Sequence, residues 1–324
     1  MATSIEGKEQ QLPYIRKELQ LQIQELSLSQ KNQSRISPTF FDGFVKSKKP
    51  TVIFLLTTWG AGGDILGELL TRIPGSFVHY EPFKTPEWDR ALNETTVPNA
   101  LKLIKALVNC EFSNLTDYVN FLKNRTHALT PLFKSGIVKE EHLKYINGNY
   151  LRQACQMFPV HIVISVRMFM SQLLPLLSNE AINLKIIHLV RDPRAIFISR
   201  IENGILCDHE SYSNPQYYCA QTEKDLQLNL RDYEDKYLLV NYEDLLVTTI
   251  MAFERISLFL QIPYVNDYIS FIKAHMSGRK LNRHWRSTYH KAKENVDKWK
   301  KDKDKKEFKD TEKACESVIN MLGC

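Results

Sequence analysis

Short apolar, β-branched runs alternate with stripes at helical spacing along most of the chain. Val52 to Leu56 is the first run, and a strand is predicted over Thr51 to Thr57. A glycine-rich turn follows, Trp59-Gly60-Ala61-Gly62-Gly63. Ile65, Leu66, Leu69, Leu70 and Ile73 then form one apolar stripe, which predicts a helix from Asp64 to Ile73. Pro74-Gly75-Ser76 ends that helix, and Phe77 to Tyr80 predicts a second strand. His161 to Val166, Ile186 to Val190 and Tyr237 to Tyr242 predict three more. Strands alternating with helices imply an α/β fold with a central parallel sheet of about five strands and flanking helices. His79 and His188 fall inside apolar strands and read as core residues.

The stretch before Lys49-Pro50 is different in character. Residues 1–48 are rich in Gln, Ser and Lys, with Ile15, Leu19, Ile23 and Leu26 at helical spacing. It reads as a stem or linker, partly helical or disordered, ahead of a globular domain over 49–324. Residues 87–158 are mostly helical in pattern and carry no recognisable chemistry. Lys291 to Lys313 interleaves lysines with acids and reads as a solvated helical face.

Chemistry concentrates where two of the predicted strands end. After Ile186 to Val190 the chain reads Arg191-Asp192-Pro193-Arg194, then Ala195-Ile196-Phe197-Ile198-Ser199-Arg200. Pro193 suits a first helical turn, where its missing N–H costs nothing. Guanidinium donors beside a helix N-terminus suit an anionic ligand. The turn at Gly60 to Gly63 has the strand–turn–helix form that offers backbone N–H groups to phosphate, but no Gly-Lys-Ser/Thr occurs in it, so it is not a Walker motif. Gly60, Gly62 and Glu81 have part of the spacing of a dinucleotide fingerprint, which keeps an oxidoreductase as a remote alternative. Ile65 stands at its third glycine position.

Bulk properties narrow the partners. Among 324 residues the hydrophobic fraction is 43% and the formal net charge +6. That charge is too small to argue for nucleic acid and suits an anionic nucleotide or glycan. No apolar segment is long enough to cross a bilayer, and residues 1–30 have no signal-peptide pattern. Six cysteines permit three bridges; Cys207 with Cys219, and Cys315 with Cys324, are close enough in sequence to pair. No Cys-x-x-Cys pair or other zinc-site pattern occurs. Asn32, Asn93, Asn114 and Asn124 stand in glycosylation sequons.

Leu189 to Arg200 closely resembles the 3′-phosphate-binding segment of Golgi carbohydrate sulfotransferases, enzymes that use 3′-phosphoadenosine 5′-phosphosulfate (PAPS). Gly67-Glu68-Leu69 and Tyr80-Glu81-Pro82 resemble the same family at the same separation. Trp299 with Lys300-Lys301, and the closing Cys315, Met321, Leu322 and Gly323, extend the similarity from about Thr51 to Cys324. The resemblance implies a sulfotransferase (P-loop-like) fold and sulfuryl transfer from PAPS to a hydroxyl of a glycan or glycoprotein acceptor, without a metal. It implies that Arg191 and Ser199 hold the 3′-phosphate. Gly60, Ala61, Gly62, Gly63, Asp64, Ile65 and Leu66 would form the 5′-phosphosulfate loop, and Glu81 is the candidate general base. It also implies a Golgi lumenal setting and a membrane anchor.

The family pattern is broken at Gly60, at Gly63 and Asp64, at Ile164 and at Asn241. Gly60 stands where the family has Arg or Lys, and Gly63-Asp64 where it has Ser-Ser. Ile164 replaces a lysine and Asn241 an arginine. A carboxylate roughly 4 Å from a phosphosulfate, at an effective dielectric of about 20, repels it by about 4 kcal/mol. Asp64 is also a good helix N-cap, able to occupy the amides a ligand needs. The alternative function is therefore a catalytically impaired protein that binds nucleotide or glycan without transfer. Restoring Arg at 60 and Ser at 64 is expected to tighten PAPS binding.

Overall fold

The structure is a computed structural model that describes residues 13–18, 20–21, 49–73, 75–83, 92–124, 146–204, 213–261, 270 and 296–324. Val52 to Leu56 are buried without a polar residue between them, which a strand tolerates only when both faces are covered. This strand, β1 (Thr51–Leu56), is the centre of the sheet. After it come α1 (Gly63–Leu70), β2 (Ser76–Tyr80), α2 (Val97–Val108), α3 (Thr116–Asn124) and α4 (Gly148–Cys155). The chain continues through β3 (Val160–Ser165), α5 (Met170–Leu177), β4 (Asn183–Val190), α6 (Pro193–Glu202) and α7 (Pro215–Leu226). β5 (Tyr237–Asn241), α8 (Tyr242–Val247), α9 (Thr249–Leu260), α10 (Lys306–Ala314) and α11 (Glu316–Leu322) complete it.

Among the described residues the five strands lie in the order β2-β3-β1-β4-β5, every pair parallel. Thr51 of β1 stands opposite Val160 on one side and Asn183 on the other. Alternate side chains of β1 feed separate cores, as the two-residue period requires. Ile53 and Leu55 join Leu66, Leu69 and Leu70 of α1 and the apolar faces of α8 and α9. Val52, Phe54 and Leu56 join Ile104 of α2 and Met170, Leu173 and Leu177 of α5. Strand order reverses on either side of β1, so the crevice above its carboxyl end is where an open α/β sheet takes its ligand. The predicted strands are all present, each within a few residues of its expected bounds.

The cysteines pair differently from the sequence expectation. Cys219 of α7 is bonded to Cys315, at 2.05 Å, and Cys110 to Cys155. Cys324 is exposed and free, and Cys207 lies outside the described residues. Nearness in sequence misled here because α11 folds back across α6 and α7. Ala61, Ile196, Phe197, Tyr218, Val318 and Ile319 form one core around the Cys219–Cys315 bridge. At the other end of the chain, Ile15 is fully buried against α2, α3 and α4. Leu19, Ile23, Leu26, the Asn32 sequon and residues 291–295 of the lysine-rich stretch lie outside the described residues.

Candidate active site

Beyond Leu56 the chain turns through Thr57 to Gly62 into α1. Gly60 and Gly62 both have φ of 87°, in the left-handed region that favours glycine. Their neighbours make the requirement absolute. A Cβ at Gly60 would sit 2.8 Å from the Ile196 carbonyl oxygen, and one at Gly62 would sit 2.0 Å from the Tyr242 ring. Gly63 is pressed against Thr57, whose Cγ2 would lie 2.6 Å from an added Cβ. The loop is therefore clamped between α6, α8 and its own first residue.

The expected cap is corrected by this geometry. Gly62, not Asp64, is the N-cap of α1, and no side chain caps the helix. Ile65 N donates to the Gly62 carbonyl at 3.2 Å, which leaves the amides of Gly63 and Asp64, with the positive end of the helix dipole, for a ligand. Asp64 lies inside the first turn and is exposed. Gly60 is equally informative: an arginine there would need a left-handed backbone and would collide with a main-chain oxygen. The cation missing at 60 cannot be restored by substitution alone.

Two arginines reach the loop from the β4–α6 segment. Arg191 Nη1 donates to the Gly60 carbonyl at 2.7 Å, and its guanidinium lies 4.3 Å from the centre of the Tyr242 ring. Its Nε is buried and has no hydrogen-bond partner, so one donor remains unspent. Arg200, fully buried, donates from Nε to the Trp59 carbonyl at 2.9 Å and from Nη2 to Thr58 Oγ1 at 2.8 Å. Phe197 and Tyr218 cover its guanidinium plane. Sequence reading passed over Arg200 because an arginine in a helical run looks like surface. Its position in an apolar stretch, Ala195 to Ile201, was the available signal.

Asp192 caps α6, accepting from Arg194 N at 2.8 Å, and Arg194 is held by both Asp192 and Glu312. Asp192 N donates to Glu243, whose carboxyl is raised above its ordinary value by burial. Ser199 is on the same helix, half-buried, with Oγ 3.4 Å from Asn203 Nδ2. No hydrogen bond joins Arg191 to Ser199. Ala61 and Leu66 are fully buried, in the α6–α7–α11 core and under α1 respectively, and Ile65 packs at the edge of the latter.

Glu81 follows β2 with φ of 47°, unusual for a non-glycine residue. Its Oε1 accepts from Val166 N at 3.0 Å, and its Oε2 pairs with Arg167. Arg167 in turn lies over the Trp59 ring, 4.6 Å from its centre. A buried carboxylate is thereby linked through one arginine to the glycine loop. Ile164 and Asn241 have different fates. Ile164 is a core residue under Gly67, whereas Asn241 Oδ1 is buried without a partner at the start of α8. Behind the loop, Thr57, Arg167, His188, Thr222 and Asp225 help line a pocket with about 30 Å³ of room for water. His188 Nδ1 is 3.0 Å from the Tyr237 hydroxyl, and burial lowers its imidazole to about 4.

The chain is similar in sequence to known carbohydrate sulfotransferases. Carbohydrate sulfotransferase 4 of Mus musculus is 23% identical over 322 residues, spanning 86% of this chain and 83% of its own. Carbohydrate sulfotransferase 2 of Homo sapiens is 30% identical over 183 residues, 48% of this chain and 34% of its own. Carbohydrate sulfotransferase 5 of Mus musculus is 26% identical over 236 residues, 60% of this chain and 59% of its own. Among solved structures, the sulfotransferase domain from the Synechococcus PCC 7002 olefin synthase superposes with a TM-score of 0.45 at 17% identity, covering 85% of this chain and 96% of that one. The sulfotransferase domain pattern matches residues 50–320, from the first residue before β1 into α11, and the chain belongs to that family.

Proposed function

We propose that the protein transfers a sulfuryl group from PAPS to a hydroxyl of a carbohydrate. The observation that carries this reading is the uncapped N-terminus of α1, set at the carboxyl end of the central strand and tied to Arg191 of the adjoining strand. In this scheme Arg191 and Ser199 bind the 3′-phosphate, Arg191 through the donors it does not spend on Gly60. Of the amides from Gly60 to Asp64, Ala61 N is spent on the Thr58 carbonyl, and those of Gly60, Gly62, Gly63 and Asp64 face the 5′-phosphosulfate. The acceptor oxygen attacks sulfur, the bond from sulfur to the phosphate oxygen breaks, and adenosine 3′,5′-bisphosphate leaves. Donors already oriented toward the charge that develops are what such a transfer needs.

Glu81 takes the proton of the attacking hydroxyl. Val166 N–H and the Arg167 guanidinium hold its two oxygens in place for that step. A glycan or glycoprotein acceptor follows from the similarity to carbohydrate sulfotransferases, and with it a Golgi lumenal setting. Two disulfides and the exposed sequon asparagines Asn93 and Asn114 suit an oxidising lumen. No helix among the described residues is long and apolar enough to cross a membrane.

One observation favours a second reading, binding with weak or no transfer. The loop backbone excludes any side chain at 60, and Asp64 adds a negative charge beside the first-turn amides. Calorimetric titration with PAPS and with adenosine 3′,5′-bisphosphate separates the two. Comparable affinity for both supports transfer, and an acceptor screen then reads activity directly. Tight bisphosphate binding with weak PAPS binding supports the second reading. Binding of neither removes both. Arg191→Ala is expected to weaken bisphosphate binding about tenfold to a hundredfold, the loss of one or two charge-assisted hydrogen bonds.

A further inference from the structure

At the edge of the sheet away from the arginine segment lies a cluster that sulfuryl transfer does not use. His79 of β2, Cys155 at the end of α4 and His161 of β3 each offer a ligand atom, all within 4.8 Å of one another and all buried. Cys110, just beyond α2, completes the group. Its Sγ is 3.9 Å from His161 Nε2, and that of Cys155 is 3.8 Å from the same nitrogen. Cys110 is held with φ of 59°, a left-handed backbone that a side chain rarely adopts. Phe77, Phe112 and Phe158 pack over these groups and seal them from solvent.

The disulfide accounts for the two sulfurs and leaves the histidines unexplained. His79 is 1% exposed and its Nε2 is buried with no hydrogen-bond partner; His161 Nδ1 is in the same position. Buried ring nitrogens are nearly always partnered, and the orphan Nε2 of His79 beside the two sulfurs calls for a ligand. Burial depresses both imidazoles and keeps them neutral, the form that ligates metal.

We propose that Cys110, Cys155, His79 and His161 form a tetrahedral zinc site when the Cys110–Cys155 disulfide is reduced. Zinc takes sulfur at about 2.3 Å and imidazole nitrogen at about 2.0–2.1 Å, so tetrahedral ligand atoms stand roughly 3.3–3.8 Å apart. The two Sγ to Nε2 distances already approach that spacing, and opening the disulfide lets the sulfurs part to match it. The chemistry balances simply. A thiol or phosphine reductant supplies two electrons and is itself oxidised, leaving two thiols. Zinc then displaces both thiol protons to solvent. The proton of His161, shared at Nε2 with the Cys155 carbonyl 3.3 Å away, moves to Nδ1. Two thiolates neutralise the ion, so the apolar core receives no net charge. Disulfide and zinc are thus alternative ties on the same four segments. The ligands, at 79, 110, 155 and 161, are too scattered to form a sequence motif.

The test uses the full-length chain under anaerobic phosphine reductant, with free thiols counted, titrated with Co²⁺ alone. The expected result is the visible d–d absorption of tetrahedral, thiolate-ligated cobalt, saturating at one equivalent and erased by Zn²⁺. His79→Asn and His161→Asn should each abolish that absorption while keeping native circular dichroism with the disulfide closed; His188→Asn should leave it intact. The proposal is overturned by a disulfide that stays closed in excess reductant, by opened thiols that give no tetrahedral signal, or by a signal that survives both histidine substitutions. A reduced chain that unfolds and is not refolded by Zn²⁺ also overturns it.

Discussion

The glycine loop and the arginine segment sit side by side above the sheet, each following a strand whose carboxyl-terminal half is buried, yet they work by opposite means. From Arg191 to Arg200 the side chains carry the chemistry: Arg191 and Arg200 donate to the loop, and Asp192 caps the helix. In the loop the backbone carries it, and the side chains are absent because neighbours leave them no space. The arginine segment also sets the shape of the loop, through bonds to Gly60, Trp59 and Thr58. In the proposed scheme a segment that grips one end of the nucleotide also positions the groups that face the other end.

The sharpest way to break this comparison is to crowd the loop. Gly62→Val adds a Cβ within 2.0 Å of the Tyr242 ring at a left-handed φ. It is expected to destabilise the protein by about 3 kcal/mol, read as a lower midpoint in denaturant. Arg200→Met comes next. It strands the Trp59 carbonyl and the Thr58 hydroxyl, at an expected cost of about 2 kcal/mol. Bisphosphate affinity should fall as well, although Arg200 is buried away from solvent; unchanged affinity would mean that the loop keeps its shape without α6.

Acid should weaken the platform under both regions. His188 on β4 is buried neutral, its folded value near 4 against about 6.5 unfolded. Only the unfolded chain binds the proton as pH falls below 6.5, so stability is complete above that value and declines toward pH 4. At pH 5 the loss from this residue is about 2 kcal/mol. His188→Gln should flatten the corresponding part of a stability–pH curve, and an unchanged slope would remove His188 as its source. The smallest effect tests the loop's charge. Asp64 is exposed and screened, so Asp64→Ser should tighten PAPS by only about 1 kcal/mol, roughly five- to tenfold, and less in high salt. Gly60→Arg should give no gain and lower the melting temperature, the reverse of what the family pattern alone suggests.

The order of strands and helices was legible in the sequence because burial on both faces leaves apolar runs, unbroken in Val52 to Leu56 and broken only by His188 in Ile186 to Val190. Arg191 and Ser199 could be named as candidates because they lie within one contiguous segment, whose strand–turn–helix form the structure keeps. Three things were not legible. The capping of α1 by Gly62 depends on where the chain turns, and Asp64 has the better capping chemistry in isolation. The pairing of Cys219 with Cys315 depends on α11 crossing back over α7. The gathering of His79, Cys110, Cys155 and His161 depends on packing around the sheet edge. Local periodicity and residue chemistry, set by nearest neighbours along the chain, are properties of the sequence itself. Which distant atoms deny a side chain its space, or meet one in the core, is decided only when the layers pack.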